Sequence, residues 1–304
     1  MTLQGDWLAG HLNIDYPEST FGVAPAINKP FKGIIKRFEV NSTSNKNLFW
    51  GLSSVGRTGT LSITKTKQEV NGRIEFDWVD QTAENNIICP TFFQPFGTAP
   101  YTISPANDLP KSMTLTMAYG SDFREVRGAV IDSLTISGRS GEIIRGEISF
   151  LAKLYSNVST TGSLSDLYAD PIIATAGNVN ITTDDTTIDA LIVDEFKITF
   201  KNNVAMHHDT KATDNTPTAA TAGKFEAQLD LTFLEEGDYI HTVIDNIFSQ
   251  IVVTIGNMDI KFKNCKITSP IPIKISEEMG IRKATYTFVP TAPGVAPVEV
   301  TFNA

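Results

Sequence analysis

Apolar and polar positions alternate with a two-residue period through most of this chain, and Val126 to Lys153 shows it best. The first arm of that stretch carries Val130, Leu134 and Ile136 on one phase. Ser137-Gly-Arg-Ser-Gly141 then supplies the small, permissive residues a reversal needs. In the second arm Ile144, Gly146, Ile148, Phe150 and Ala152 share one phase, and Arg145, Glu147 and Ser149 share the other. A strand so patterned turns one face to a core and the other to water or a polar neighbour. The stretch predicts a long hairpin, and a weaker echo over Asn264 to Pro290 predicts a second.

The same reading extends along the chain. Met1 to about Pro30 is irregular, with Trp7, Tyr16 and Phe21 among Gly, Pro and Asn, and reads as an arm ordered by packing on something else. Strands are expected over Phe31 to Val40, Leu48 to Val55, Leu61 to Lys67, Gly72 to Val79 and Lys111 to Tyr119. Asn41 to Asn47 reads as a polar turn, and a short reversal separates Lys67 from Gly72. Ile74, Phe76 and Trp78 alternate cleanly with Arg73, Glu75 and Asp77. A short helix is expected over Asp80 to Cys89, stopped near Pro90. Phe92, Phe93, Phe96 and Tyr101, laced with Pro95 and Pro100, form a loop too apolar to leave bare: cover for the local core, or a docking surface.

After Leu154 the composition turns to Ser, Thr, Asp, Asn and Gly, so Ser156 to Asp189 reads as a linker or extended loop. Further strands are expected over Leu191 to Lys201, Lys224 to Leu234, Gln250 to Ile255, Met258 to Ile267, Ile271 to Ile275 and Arg282 to Val289. Met206 to Ala222 is a long polar loop. Glu236 to Ser249 has helical spacing of Tyr239, Ile240, Val243, Ile244, Ile247 and Phe248, with acidic residues at its start. The halves match in order as well as in pieces. Gly72-Arg-Ile-Glu75 and Gly223-Lys-Phe-Glu226 each lead to a candidate helix, a short apolar strand and the long hairpin. An offset of roughly 140 to 150 residues makes this a duplicated domain, not a solenoid repeat.

Composition narrows the classes. With 304 residues, 41 % hydrophobic and 19 % charged, the chain has material for one large or two medium domains. Its apolar runs are too short to cross a bilayer, and its first residues lack the pattern of a secretory signal. The two cysteines, Cys89 and Cys265, read as buried small hydrophobes. A net charge of −9 without clustered Lys and Arg argues against a surface that grips nucleic acid. Nucleophile-elbow, P-loop, dinucleotide and zincin motifs are all missing, so the sequence reads as that of a non-enzyme without cofactor. His207-His208-Asp209 is the one local metal-capable cluster, but adjacent histidines diverge on an extended chain, and a solvated loop tip explains them better.

Gly128-Ala-Val-Ile-Asp-Ser-Leu-Thr-Ile136, then Gly141-Glu-Ile-Ile-Arg-Gly-Glu-Ile-Ser-Phe150 and Lys153, resemble the late hairpin of the tail tube proteins of long-tailed bacterial or archaeal viruses. The resemblance covers about Leu61 to Lys153 well and Leu191 to Val289 more loosely. In the second copy the turn becomes Ser276-Glu-Glu-Met-Gly280, and Pro270 and Pro272 interrupt a strand. The resemblance implies a mainly β protein of two tandem β-sandwich or half-barrel units, each with a flanking helix. The division is then a 1–30 arm, a 31–155 domain, a 156–189 linker and a 190–304 domain.

As function, the resemblance implies a virion protein made in the host cytoplasm. Its rings of three two-unit chains would stack into a hollow siphovirus tail tube that DNA crosses during ejection without specific binding. Tape measure, terminator and distal tail proteins would be its neighbours. Ring-to-ring contacts are expected from His207, His208, Asp209 and Lys211, and from Phe92, Phe93, Phe96 and Tyr101. Arg145, Glu147 and Ser149 are candidates for the lumen or an outer sheet face. Two other readings stand beside it: a single-ring hub or distal tail protein, and a carbohydrate-binding adhesin in which Trp50 or Phe93 stacks on a sugar.

Overall fold

The computed structural model describes residues 11–25, 29–49, 62–97, 99–102, 110–119, 122–158, 174–175, 177, 179–184, 189, 192–209, 215–235, 247–268, 274–275, 282–291 and 296–303. The first half contributes β1 (His11–Asp15), β2 (Gly33–Phe49), β3 (Ser62–Trp78), α1 (Ile88–Phe92), β4 (Tyr101–Thr102), β5 (Met113–Tyr119), β6 (Asp122–Arg139), β7 (Arg145–Ala152) and β8 (Leu154–Val158). The second contributes β9 (Val179–Thr183), β10 (Ile192–Lys201), β11 (Ala205–His207), β12 (Ala219–Thr221), β13 (Glu226–Glu235), β14 (Ile247–Ile255), β15 (Met258–Ile267), β16 (Lys274–Ile275), β17 (Arg282–Pro290) and β18 (Val298–Phe302). The fold is mainly β, as the alternation predicts, and its sheets are antiparallel.

The strand order β2-β3-β7-β6-β10-β13-β17-β15-β14-β9 carries one sheet through both halves. The opening hairpin is β6–β7, with Leu134 opposite Ile148 and Ile136 opposite Gly146. A bulge between Ile131 and Ser133 corrects the phase read from sequence: Ile131, opposite Phe150, lines up with Leu134 and Ile136, while Val130 faces Leu151. Above that bulge β6 changes partners and pairs with β5 and β8. β15 does the same, pairing with β14 and β18 and then, at Cys265 to Ile267, with β17.

Apolar phases from both halves meet in one core that includes Phe76, Phe150, Leu134, Ile198, Phe200, Leu229, Phe262 and Phe288. Phe200 stacks on Phe262 at 6.2 Å, and Phe92 of α1 meets Phe200 edge-on at 5.3 Å. Glycines inside strands make room for rings. A Cβ on Gly146 would lie 2.2 Å from the Phe76 ring, and one on Gly72 would lie 2.2 Å from that of Phe150.

Several sequence expectations change. Asn41 to Asn47 is part of β2, and Lys67 to Gly72 lies inside the single strand β3. The two strands pair with each other from Gly33/Trp78 to Phe49/Ser62, so a polar stretch stays extended with its backbone satisfied by its neighbour. The helix expected over Asp80 to Cys89 is displaced to α1, where Asn86 Oδ1 accepts the Cys89 N–H at 2.8 Å and Pro90 sits in the first turn. Of the helix expected over Glu236 to Ser249, residues 236–246 lie outside the described residues, and Ile247 to Ser249 open β14. Residues expected as linker supply the end of β8 and all of β9, which pairs with β14. The glycine motifs are not equivalent: Gly72 pairs with Phe150 in mid-strand, whereas Gly223 precedes β13.

The N-terminal segment is tied in by strand and by charge. β1 pairs with β5, and Glu18 enters a pocket of donors. Its carboxylate accepts Thr114 Oγ1 at 2.6 Å, Gly22 N at 2.7 Å, Gly128 N at 2.9 Å, and the Ser112 hydroxyl. Asp15, also buried, accepts only Lys29 N at 3.2 Å among the side-chain bonds described. Burial, with Glu125 adding to it, pushes its carboxyl up to about 7.

Glu18→Ala leaves buried donors unpaired and is expected to lower stability by roughly 3 kcal/mol in denaturant unfolding. Asp15 has a folded pKa above its unfolded one, so its contribution is full below about pH 4 and is lost as the pH rises towards 7. Asp15→Asn is expected to flatten the unfolding midpoint across that window, and a profile parallel to wild type would show that Asp15 is not its source.

Candidate functional site

The polar phases of β2, β3, β7, β6, β10, β13 and β17 form one sheet face, and it is covered with paired charges. Arg73 binds Glu147 at 2.8 Å and Glu75 at 3.0 Å. Lys36 binds Asp77 at 2.8 Å, and Arg37 pairs with Glu39. Where the halves meet, Arg139 lies 3.3 Å from Glu195, and Lys283 binds Asp194 at 2.6 Å. Hydroxyls fill the gaps between charges: Ser133 with Ser149 at 2.7 Å, Thr232 with Thr285 at 2.9 Å, and Thr287 donating to Asp230 at 2.7 Å. Exposed pairs such as these add little stability, about 0 to 1 kcal/mol each.

Arg145, Glu147 and Ser149 all lie on this face, as the alternation of β7 requires. Arg145 is exposed and, among the described residues, has no carboxylate in ion-pair range. Open hollows of about 460 and 430 Å³ flank it, both lined by Ser137 of β6 and by Ile143 of the β6–β7 turn. Among the described residues no group of three His, Cys, Asp or Glu is placed to hold a metal ion, and no helix is long and apolar enough to cross a membrane.

The second candidate surface is a pair of hairpin arms. One is the outer part of β2–β3, and the other is the β11–β12 ribbon inside the expected polar loop. The arms touch where Gln68 N donates to Asn215 O at 3.0 Å. His207 is bound across the ribbon to Thr221 Oγ1 at 2.6 Å, and its carbonyl accepts Thr218 N at 2.8 Å. His208 is half-buried near Glu69, with neither ring nitrogen hydrogen-bonded among the described residues. Asp209 is exposed, and Lys211 lies outside the described residues.

The aromatic candidates divide differently from the expectation. Phe92, Phe93 and Tyr101 are buried, and the Tyr101 hydroxyl donates to Ala83 O at 2.7 Å. Phe96 is half-buried, edge-on to Tyr16 at 5.6 Å with Lys29 Nζ 4.0 Å from its ring centre. Phe92, Phe93 and Tyr101 thus pack into the core of the chain, and Phe96 keeps part of its ring at the surface. Cys89 and Cys265 are buried, and loss of solvent pushes their thiols up to about 11 and about 12.

The seam between the halves is what sequence reasoning missed. β6 pairs with β10 over seven positions, from Ser133/Lys201 to Arg139/Glu195. The signal available was the double alternation, Leu134 and Ile136 on one strand and Ile198 and Phe200 on the other, but nothing local says that these two strands meet.

The family model for phage tail tube proteins matches residues 11–298. No curated protein matches the chain. A mainly β chain with a charge-paired sheet face and paired hairpin arms fits that match, which runs through both halves and across the seam: the chain belongs to the phage tail tube protein family, structural proteins of the virion tail.

Proposed function

We propose that this chain builds the tail tube as a tandem of two equivalent tube units, 31–155 and 190–304, joined by 156–189, so that three chains close a ring with six units. The observation carrying this reading is the correspondence of register between the halves. The order β2-β3-β7-β6 answers to β10-β13-β17-β15. Ile35 pairs with Phe76 and, past a bulge, Arg37 with Glu75; Val193 pairs with Phe233 and, past a bulge, Glu195 with Thr232. At the arm, Asn47 opposite Thr64 answers to Ala205 opposite Thr221. The outer strands follow suit, since β5 with β1 answers to β14 with β9, and β8 on β6 answers to β18 on β15. A bulge conserves its place only where the strands around it are built alike.

In this reading the charge-paired sheet face lines the lumen, and the arms, with His207, His208 and Asp209, reach the next ring. Carboxylates occupy Arg73, Arg37, Arg139 and Lys283, so a passing phosphate backbone meets few cations free to hold it. DNA then slides during ejection without specific binding. Tape measure, terminator and distal tail proteins are the neighbours expected at the tube ends and interior.

Electron microscopy of the purified protein tests the core of this reading: long hollow tubes are expected, single rings would indicate a hub, and a dispersed monomer at every salt concentration would overturn both. Replacing residues 208–218 by a tight turn is expected to leave rings intact but shorten tubes, and tubes of undiminished length would remove the arm from stacking. Glu75→Gln with Glu147→Gln frees Arg73; assembled tubes of this variant are expected to retain DNA several-fold more strongly at low salt, an effect lost at high salt. Equal retention by variant and wild-type tubes would place this face away from the DNA.

A further inference from the structure

β2 is the edge of the sheet. This seventeen-residue strand pairs with β3 on one side, apart from the bulged Lys36, and among the described residues nothing covers the other. A long open edge is a template for another strand. Its counterpart β10 has no such edge, because β6 lies on it. Burial reflects the difference. Phe196 and Ile198 are 4 % and 0 % exposed under β6. Phe38 and Val40, which hold the corresponding places opposite Ile74 and Gly72 as Phe196 and Ile198 do opposite Leu231 and Leu229, remain half-buried.

We infer that β2 is closed by Lys274–Ile275 of a second copy of this chain, in the register by which β6 closes β10. This rests on the reading of the halves as equivalent units. Ser137 pairs with Arg145 and Lys274 pairs with Lys283, while Arg145 and Lys283 hold matching places opposite Asp77 and Leu234. Lys274 is therefore the counterpart of Ser137, and Ile275 that of Gly138. At the internal seam Ser137 faces Lys197 and Gly138 faces Phe196. Carried to the seam between chains, Lys274 falls opposite Glu39 and Ile275 opposite Phe38. The first of these places a cation position against an anion position, and the second brings an apolar residue to the half-covered Phe38. The contact is head-to-tail, joining different surfaces of successive chains, which is the geometry that makes rings.

Facing residues of antiparallel strands have Cα separations of about 4.5 to 5.5 Å, within the span of a disulfide. The double variant Glu39→Cys/Lys274→Cys is expected to give, on mild oxidation of assembled protein, disulfide-linked dimers and trimers on non-reducing gels. Either single variant gives none, since Cys89 and Cys265 are buried. The pair Asn41→Cys/Lys274→Cys, two residues out of register, is expected to cross-link at least tenfold less. Rings that form normally but link through the shifted pair, or through neither, overturn this register and leave the ring reading standing. A wild-type chain that forms no ring overturns the reading beneath it instead. Hydrogen exchange on the wild-type protein guards against a misfolded variant: backbone amides of residues 37–43 are expected to slow on assembly, and unchanged exchange there overturns the inference.

Discussion

The pairing of β6 with β10 is the contact on which the rest of the molecule depends. It converts two groups of strands into one sheet, aligns the apolar phases of both on one side, and so lets Phe92 and Phe200 share a core. Without it each group would present an open edge with a row of unpaired amides and carbonyls. Polar ties hold the seam at one end. Asn202 Nδ2 donates to Thr91 O and Ile131 O at 2.9 Å each, and Asp132 Oδ1 accepts Val204 N at 2.8 Å. Asp132 is the residue displaced by the β6 bulge, so the distortion that lets β6 change partners also supplies the acceptor.

Curvature comes from the same small set of devices. Bulges stand between Ile35 and Arg37, Val193 and Glu195, and Ile131 and Ser133. A bulge increases local twist and bends its strand, which a sheet this wide requires if it is to close over a core. Each of these bulges displaces a charged residue, and two of them, Lys36 and Asp194, are drawn into ion pairs on the polar face. Shape and surface charge are thus set together.

That polar face has balanced charge, not a uniformly acidic one. The net charge of −9 belongs to the whole chain, whereas the face itself alternates cations with carboxylates. Pairing most of its cations with neighbouring carboxylates keeps like charges from standing opposite one another across the strands.

The sequence by itself determined the fold class, the strands with clean alternation and the face on which Arg145, Glu147 and Ser149 lie, because a two-residue period is a local property that burial on one face enforces. It also carried the family resemblance. It misread Asn41 to Asn47 and Lys67 to Gly72 as turns, since a paired arm in water needs no apolar phase and leaves no periodic trace. It left the use of Phe92, Phe93 and Tyr101 open, because a ring's burial depends on what arrives from elsewhere in the chain. Only the tertiary structure decided that β6 meets β10, since strand pairing is written in backbone groups that every residue shares. The well-patterned hairpin β6–β7 supplies, in β6, the strand by which one half of the molecule holds β10 of the other.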